Sequence, residues 1–490
     1  MRILLLSVLL AVFTGCSQPL ETPAQLRNYQ SATTAAEVVD FSRRVAQRHP
    51  LMQYHPMGYS EGGSELASVR IRSGEAIDPL RVLVFAQQHG SEQSGKEALL
   101  LLMSRILSAH HAQWPQRLDL WVVPQLNPEG SDQNQRRNAG GIDLNRDHIV
   151  QLAPETRALH ELFREFMPHV TIDIHEYMPF RESWEEFGAF KTFDVQVGTL
   201  TNINIDAGLR ETGLHGALPH IEHHLLERGY SFHNYIVGPV PGTGRTRHST
   251  VDFDDGRQSF GILNTLAFIF EGINGRDGYL EDLERRTWGQ YEAVTALLDY
   301  LYEHHLSIAA QVNQARGKLQ NARPGEAVAI RMEHFPGHQP LTMTLTSSRT
   351  GRDTLVVEHA YHPMVKATLQ VTRPTAYLVP RNMQLLMDFL HLHRISYTDA
   401  PDLAHKQCFA YHIESIQASE DEELNNRFAQ VVRRSVSPDP AAYVWVPTAQ
   451  LHSNFLVSLF EPQSMLGLAQ RPGFEELLQQ ATLFPIIRVE

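Results

Sequence analysis

RVLVFAQQHGSEQSG, residues 81–95, is an apolar run that ends in polar residues and leads into a second apolar segment. The near-continuous run 81–88 predicts a strand that is buried on both faces. ALLLLMSRILSAH, which follows Gly95, predicts a helix. Only a sharp turn between this strand and this helix lets His89 and Glu92 converge on one metal ion.

Two further apolar runs end in residues that bind metals or carry protons. VTIDI ends at His175, and LAFIF ends at Glu271. Enzymes bind zinc through about three protein ligands and leave a fourth position open, and two histidines with one glutamate are a known set. We therefore expect His89, Glu92 and His175 to bind one Zn²⁺ per chain, which leaves Glu271 to handle protons. Cobalt or manganese would also be compatible with these ligands.

Each of these residues also has an ordinary structural explanation when it is taken alone. His89 and Glu92 can be a surface histidine and a glutamate in the first turn of a helix. His175 can be a core histidine, and Glu271 can cap or pair at a strand end. Ligands of open α/β sheets bind outside the carboxyl ends of the strands, so polar residues at several strand ends together favour a functional site.

Strand and helix patterns alternate in one part of the chain and not in the next. The alternation predicts an α/β fold with a mixed, largely parallel sheet flanked by helices, over residues 37–315. In residues 320–490 strand patterns mostly follow one another, which predicts a smaller β-rich α+β C-terminal module. Residues 17–36 are polar and contain two prolines, and they read as a tether.

The first sixteen residues have the pattern of a signal peptide. Arg2 precedes the apolar run ILLLSVLLAVF, which is too short for the roughly 20 residues that cross a bilayer. The sequence up to Cys16 resembles a bacterial lipobox, with Phe13 where leucine is usual. We expect Cys16 to carry lipid, and Ser17 resembles the sorting signal for the outer membrane, facing the periplasm. The alternative is an ordinary secretory signal with an incidental cysteine.

The net charge bears on the class of partner, and the cysteine content bears on disulfide formation. The formal net charge is -13 and no basic cluster is present, which argues against nucleic acid as a partner. The other cysteine is Cys408, so a lipidated Cys16 would leave no pair for an intrachain disulfide. The sequence does not indicate an oligomeric state.

A series of short motifs resembles the zinc carboxypeptidase family over roughly residues 40–310. In chain order the motifs are HGSE at 89–92, NPEG at 127–130, RRN at 136–138 and GIDLNRD at 141–147, then the later strand-end histidine and glutamate. The resemblance implies a zinc metallopeptidase whose catalytic domain spans 37–315. It implies hydrolysis of an amide bond next to a free C-terminal carboxylate, in a peptide substrate.

The resemblance also implies roles for polar residues in these motifs. Asn145 and Arg146 would bind the terminal carboxylate of the substrate, a task suited to a guanidinium group that pairs two oxygens. Arg136, or its neighbour Arg137, would stabilise the oxyanion of the tetrahedral intermediate. Asp143 would accept the ring N–H of a ligand histidine.

By the same resemblance Glu271 would be the general base and then the general acid. The digestive members of the family carry a tyrosine in a loop before this glutamate, but here the segment reads RTRHSTVDFDDGRQSFG, residues 245–261, without one. Tyr230 and Tyr235 are the nearest upstream tyrosines. We interpret the segment around Arg247 and His248 as a polar loop at the edge of the site that gates or selects substrate.

Other interpretations stay open at this point. A cell-wall amidase of the same family would act on muropeptides, and a non-catalytic peptide-binding lipoprotein would keep the fold without the chemistry. An aspartoacylase-like deacylase is a third alternative. In a second histidine cluster, His215, His220, His223 and His224, the helical spacing of His220 and His223 would suit an accessory metal ion, but we favour a solvated histidine-rich insertion.

Overall fold

The computed structural model describes residues 19–108, 111–418 and 427–490. The predicted signal peptide, with Cys16, lies outside the described residues. No helix in the described part of the chain is both long and apolar enough to cross a membrane.

The first part of the described chain contains ten strands, eight of which form one sheet. The strands are β1 (Met52–Tyr59), β2 (Glu65–Ile71), β3 (Leu80–Ala86), β4 (Leu118–Val123), β5 (Val170–Tyr177), β6 (Ala189–Phe190), β7 (Val195–Gly198), β8 (Phe232–Asn234), β9 (Thr246–Arg247) and β10 (Leu266–Ile273). The order across the sheet is β1-β2-β4-β3-β5-β10-β7-β8.

The described chain contains α-helices of very different length, of which the last two belong to the C-terminal half. They are α1 (Pro23–Leu26), α2 (Ala35–Gln47), α3 (Gln93–Arg105), α4 (Pro128–Asp132), α5 (Pro154–Phe166), α6 (Glu182–Phe187), α7 (Ala207–Glu211), α8 (Leu218–Glu227), α9 (Gln258–Gly261), α10 (Leu283–Gln320), α11 (Gln384–Leu392) and α12 (Ser453–Phe460).

The large sheet is mixed and its centre is parallel. The pairs β4/β3, β3/β5, β5/β10 and β7/β8 are parallel, whereas β1/β2, β2/β4 and β10/β7 are antiparallel. Val82 and Val84 of β3 contribute to one hydrophobic core, and Leu83 and Phe85 contribute to another. Because successive side chains of a strand point to opposite faces, the sheet is buried on both sides. The predicted fold class is confirmed.

Helix α10 is the longest helix in the described part of the chain, with 38 residues. It continues to Gln320 and passes through the predicted domain boundary. The reason is a continued helical spacing of buried residues, Ile308, Val312, Ala315 and Leu319. The two halves of the chain are therefore joined by a continuous helix.

The C-terminal half is rich in strands, as predicted. Its strands are β11 (Ala327–Phe335), β12 (Leu341–Ser347), β13 (Asp353–Glu358), β14 (Tyr361–His362), β15 (Met364–Thr372), β16 (Ala376–Pro380), β17 (Thr398–Asp399), β18 (Cys408–Ala418), β19 (Arg427–Val436), β20 (Tyr443–Pro447) and β21 (Ile487–Val489). Six of them form an antiparallel sheet in the order β17-β20-β16-β21-β18-β19. The long strands β18 and β19 were not predicted.

The segment predicted as a tether contacts the main domain over part of its length. Both carboxylate oxygens of Glu97 accept hydrogen bonds from Thr33, one from the backbone N–H and one from the hydroxyl, each at 2.7 Å. Lys96 Nζ donates to the carbonyl oxygen of Thr33. Helix α2 then begins with a capping box in which Thr34 and Glu37 each accept the other's backbone N–H. These contacts hold the chain against α3 just before α2.

Candidate functional site

The site lies where three neighbouring parallel strands end. β3, β5 and β10 are adjacent, so their carboxyl ends meet at one edge of the sheet. His89 follows β3, His175 lies near the end of β5, and Glu271 is paired with His175 in the register of β10. Parallel pairing therefore brings together three residues that are far apart in the sequence.

His89, Glu92 and His175 form a compact, buried metal-binding group. Their ligand atoms all lie within 4.8 Å of one another. Glu92 Oε1 is 2.8 Å from His89 Nδ1, Glu92 Oε2 is 2.9 Å from His175 Nδ1, and the two Nδ1 atoms are 3.1 Å apart. Two ring nitrogens and a carboxylate that face one point suit a cation, and this donor set suits zinc.

Each of the two histidines is oriented by a carboxylate on its other ring nitrogen. Asp143 Oδ1 is 3.1 Å from His89 Nε2, and Asp173 Oδ1 is 3.0 Å from His175 Nε2. Burial alone would raise the pKa of Asp143, but the hydrogen bond from His89 and the charge of Arg136 hold this pKa below its usual range. Partners of this kind fix the tautomer that leaves Nδ1 available to a metal ion.

Gln88 connects the carboxylates and amides behind the metal-binding group. Its Nε2 donates to Asp173 Oδ2 at 2.9 Å and to Asn145 Oδ1 at 3.2 Å. Its Oε1 is 2.8 Å from Nε2 of the buried His148. Asn145 also accepts a hydrogen bond from the backbone of Gly256 at 2.8 Å. Sequence patterns did not indicate Gln88 or His148, because the role of these residues depends on long-range contacts.

The turn between His89 and Glu92 packs directly against the NPEG motif. A Cβ atom on Gly90 would lie 2.1 Å from the carbonyl carbon of Gly130, so a side chain has no room there. Asn127 Nδ2 donates to the carbonyl oxygens of Gln88 and Arg136, at 3.2 and 3.1 Å. The NPEG motif thus supports the strand-to-helix turn that carries two of the metal ligands.

Of the two adjacent arginines, Arg136 is the one beside the metal-binding group. Its Nη1 is 3.2 Å from His89 Nδ1, and its Nε donates to Asp143 Oδ2 at 3.0 Å. Arg137 instead donates to the carbonyl oxygen of Gly141. The Arg136 side chain is 48% exposed, so its guanidinium group is accessible to a substrate.

Arg146 and Glu271 face the same cleft as the metal-binding group. The polar residues along this cleft include Arg136, Asn145, Arg146, Tyr235, Asp255 and Glu271. Burial disfavours the charge of Arg146, but the carboxylates of Asp255 and Asp143 hold its pKa above the usual value. Arg136 and Arg146 are two of the four arginines that line this cleft, with Arg181 and Arg247.

Glu271 is buried and hydrogen bonded to Tyr235. Burial is the main cause that raises the pKa of Glu271 to about 7, and Glu92 also raises it, whereas His175 and the Tyr235 hydroxyl oppose the shift. Tyr230, the other upstream tyrosine, lies under the guanidinium group of Arg285 instead. Tyr235 precedes the polar segment 245–261 that we placed at the edge of the site, and its contact with Glu271 is visible only in the folded chain.

The second histidine cluster does not assemble. His215 pairs with Glu211 and His223 with Glu227, both within one turn of helix, and His220 packs on Tyr300. Among the described residues the cluster is not a group of three whose ligand atoms converge. A solvated histidine-rich segment therefore describes it.

The structure combines a His-Glu-His group at the carboxyl edge of an open α/β sheet with a buried glutamate beside it. This combination places the protein in the class of zinc metallopeptidases. Residues 38–180 match the model of the zinc carboxypeptidase family. "Carboxypeptidase 2" of Trichophyton tonsurans is 26% identical over 383 residues, which cover 74% of this chain and 69% of that protein. "Carboxypeptidase 2" of Trichophyton rubrum is 24% identical over 463 residues, which cover 90% and 84%.

A metallo-carboxypeptidase from Burkholderia cenocepacia is a structural neighbour, with a TM-score of 0.44 and 17% identity over 56% of this chain and 70% of that one. Residues 38–180 thus carry a zinc carboxypeptidase match, and the two relatives that match a longer part of the chain are carboxypeptidases. The protein is a zinc metallopeptidase of the carboxypeptidase type, and His89, Glu92 and His175 are positioned to bind one metal ion.

Proposed function

We propose that the protein hydrolyses the amide bond next to the free C-terminal carboxylate of a peptide. The observation that carries this proposal is the convergence in one cleft of the metal-binding group, the buried Glu271 and the guanidinium groups of Arg136 and Arg146. A metal supplies Lewis-acid chemistry that activates water and polarises a carbonyl group. The remaining tasks fall to side chains of this chain.

Glu271 is the proposed general base and acid. It takes a proton from the attacking water and later passes it to the nitrogen of the leaving amine. Its place beside His175 in the strand register and its raised pKa support this role, since a group that both accepts and releases a proton works best near the pH of the reaction. Tyr235 holds the carboxyl group through its hydroxyl.

The two arginines are proposed to act on different oxygens of the substrate. Arg136, next to His89, stabilises negative charge that develops on the carbonyl oxygen of the scissile bond. Arg146 pairs with the terminal carboxylate. Asn145 is embedded between Gln88 and Gly256, which supports a role in orienting His175 and Arg146 in addition to any contact with substrate.

The test is a comparison of one good peptide substrate as the free acid and as the C-terminal amide. Amidation removes a charged hydrogen-bond partner worth about 1.5 to 3 kcal/mol, so kcat/KM should fall by more than about tenfold. Arg146→Ala should cause a similar loss with the free acid, and the two changes together should cost little more than either alone. Full activity on amidated or internal bonds would contradict exopeptidase action and favour an amidase of cell-wall peptides.

A further inference from the structure

One wall of the substrate cleft is a loop that is held by the C-terminal half of the chain. We define the cleft loop as residues 237–250. Val237, Arg247, Ser249 and Thr250 of this loop line the cleft, together with Glu271. The backbones of Val237 and Arg247 pair with each other across the base of the loop. Thr246 and Arg247, which form β9, also pair with a backbone partner outside the catalytic domain.

That partner is a short strand of the C-terminal half. β14 pairs in parallel with β9, so Tyr361 lies opposite Thr246 and His362 opposite Arg247. The backbone N–H of Thr246 donates to the carbonyl oxygen of Ala360 at 2.9 Å. Arg247 belongs to β9 and also lines the cleft. Its backbone is therefore paired with a residue that lies more than a hundred positions later in the chain.

Glu358 holds the loop through its side chain. Its Oε2 accepts hydrogen bonds from the backbone N–H of Gly242 at 3.1 Å and from the hydroxyl of Thr246 at 3.3 Å. Its Oε1 accepts the backbone N–H of Ala360 at 2.7 Å, which orients the start of β14. Glu358 is only 1% exposed. Burying a carboxylate is costly unless it is hydrogen bonded, so packing alone would be better served by an apolar residue.

The same contact extends towards the catalytic glutamate. The Tyr361 hydroxyl is 3.2 Å from His248 Nε2, and His248 Nδ1 is 3.4 Å from the carbonyl oxygen of Tyr235. A neutral histidine that donates from Nδ1 to this carbonyl accepts from the tyrosine at Nε2. Tyr235 in turn contacts Glu271. Pro363 and Val365 complete the wall of a cavity that adjoins the cleft at Tyr235 and Ser249.

We propose that residues 358–365 of the C-terminal half are a working part of the substrate cleft, and that Glu358 is a positioning residue that holds the cleft loop in its substrate-binding conformation. This inference rests on the proposed function, since it assumes that peptide binds in this cleft. Glu358 touches no reacting atom. Its loss should therefore weaken substrate binding much more than it slows the chemical step.

The test compares Glu358→Gln with Glu461→Gln in the full-length, zinc-loaded protein. Glu461 is the matched control, because it is a carboxylate of the C-terminal half that is only 2% exposed and whose partners, Tyr377 and Arg488, lie in the same half. We expect Glu358→Gln to raise KM for a free-acid peptide about fivefold or more while kcat changes by less than about twofold. Glu461→Gln should lower the melting temperature without raising KM.

A milder variant covers the case in which Glu358→Gln does not fold. Tyr361→Phe removes only the hydroxyl that faces His248, and it should raise KM in the same direction by a smaller factor. Unchanged KM in a folded Glu358→Gln protein, or in Tyr361→Phe if the first variant is insoluble, overturns the proposal. An equal rise of KM in Glu461→Gln would also overturn it, because the effect would then be general destabilisation.

Hydrogen exchange separates this proposal from the proposed function. Glu358→Gln should speed exchange of the Gly242 amide, which donates to Glu358, and of the Thr246 amide in β9, relative to both the wild type and Glu461→Gln. If the wild type hydrolyses no free-acid peptide, the proposed function fails, and a peptide's dissociation constant for the cleft, measured by calorimetry with and without Glu358→Gln, still decides the positioning role. Unchanged exchange at both amides overturns the positioning role whatever the substrate.

Discussion

The contribution of each residue of the metal-binding group to zinc binding can be measured as the amount of bound metal. We expect His89→Ala, Glu92→Ala and His175→Ala each to lower bound zinc well below one per chain, because each change removes one of about three ligands. The measurement is metal content by elemental analysis after dialysis. His220→Ala is the control, since His220 packs on Tyr300 away from the site. A variant that keeps a full equivalent of zinc would remove that residue from the ligand set.

Glu271 is expected to matter for turnover and not for metal content. Glu271→Gln keeps the size of the side chain and should retain zinc and the folded state, while kcat falls by about 10² to 10⁴-fold, the usual contribution of general acid–base catalysis. Steady-state kinetics with parallel metal analysis is the measurement. Tyr235→Phe should reduce turnover less, because it removes only one hydrogen bond to this group. Near-normal kcat in zinc-loaded Glu271→Gln would move the base elsewhere.

Glu176, the residue after His175 in β5, is another buried carboxylate near the metal-binding group, but its partners make it a weak alternative to Glu271 as the base. Its Oε1 accepts hydrogen bonds from Nη2 and Nε of Arg286, at 2.7 and 3.0 Å, and both side chains are buried. Burial raises the pKa of Glu176 and the charge of Arg286 opposes this shift, but the two hydrogen bonds commit Oε1 to Arg286 and not to an attacking water. Alternation along β5 also turns this side chain away from that of His175.

At the scale of elements, the turn between β3 and α3 carries the metal site and tolerates little change. Gly90→Ala would place a Cβ atom 2.1 Å from the carbonyl carbon of Gly130, so one backbone segment has to move. We expect a loss of stability of about 1 to 3 kcal/mol, as for other overpacked sites, together with weaker zinc binding. Denaturant unfolding and chelator competition measure the two effects.

Gly317→Ala is the matched control for this turn, because a Cβ atom there meets nothing within 4 Å on the surface of α10. Alanine should be neutral or slightly stabilising at that helical position. Wild-type zinc affinity in Gly90→Ala would show that the turn is less constrained than its packing indicates.

Elements differed in how well their sequence patterns predicted them. β3, β5 and β10 are rich in apolar residues and almost entirely buried because both faces of the sheet are covered. β19 was missed because five of the ten residues of RFAQVVRRSV are exposed and only Ala429 is buried, so it lacks the apolar pattern of a buried strand. Its ten residues are strand because they pair along β18.

At the scale of the whole molecule, the C-terminal half is attached to the catalytic domain by buried polar contacts. Arg471 pairs with Asp252 at 2.8 Å and with Asp254 at 3.3 Å, both in the segment that follows the cleft loop. His393 Nε2 donates to the carbonyl oxygen of Ile149 at 2.7 Å. Helix α10 adds a covalent connection. These contacts support the view that the two halves act as one unit at the cleft.

Attachment to the bacterial envelope is a separate prediction for the whole chain. Cys16→Ser should release the protein from the membrane fraction and leave hydrolysis of peptides intact, because the predicted lipid lies outside the catalytic domain. Cell fractionation and mass spectrometry of the processed N-terminus are the measurements. A control with Cys408→Ser should stay in the membrane fraction. Wild-type protein that is processed but not lipidated would contradict the prediction.

The sequence by itself determined the fold class and the family resemblance. Those features depend on local patterns: apolar runs that end in polar residues, and short motifs such as HGSE and GIDLNRD with their order along the chain. It also indicated His89, Glu92 and His175 as metal ligands, since the two histidines follow or end strands, Glu92 lies in the turn after β3, and parallel strands bring their carboxyl ends to one edge.

Only the tertiary structure decided how the site is supported. Gln88 links Asp173 to Asn145, Tyr235 contacts Glu271, and Glu358 holds the cleft loop. A side chain's hydrogen-bond partners in these cases lie tens to hundreds of positions away, and such pairs leave no spacing pattern in one sequence. The physical reason is that local patterns set secondary structure, whereas buried polar groups are satisfied by whichever partners the folded chain brings within reach.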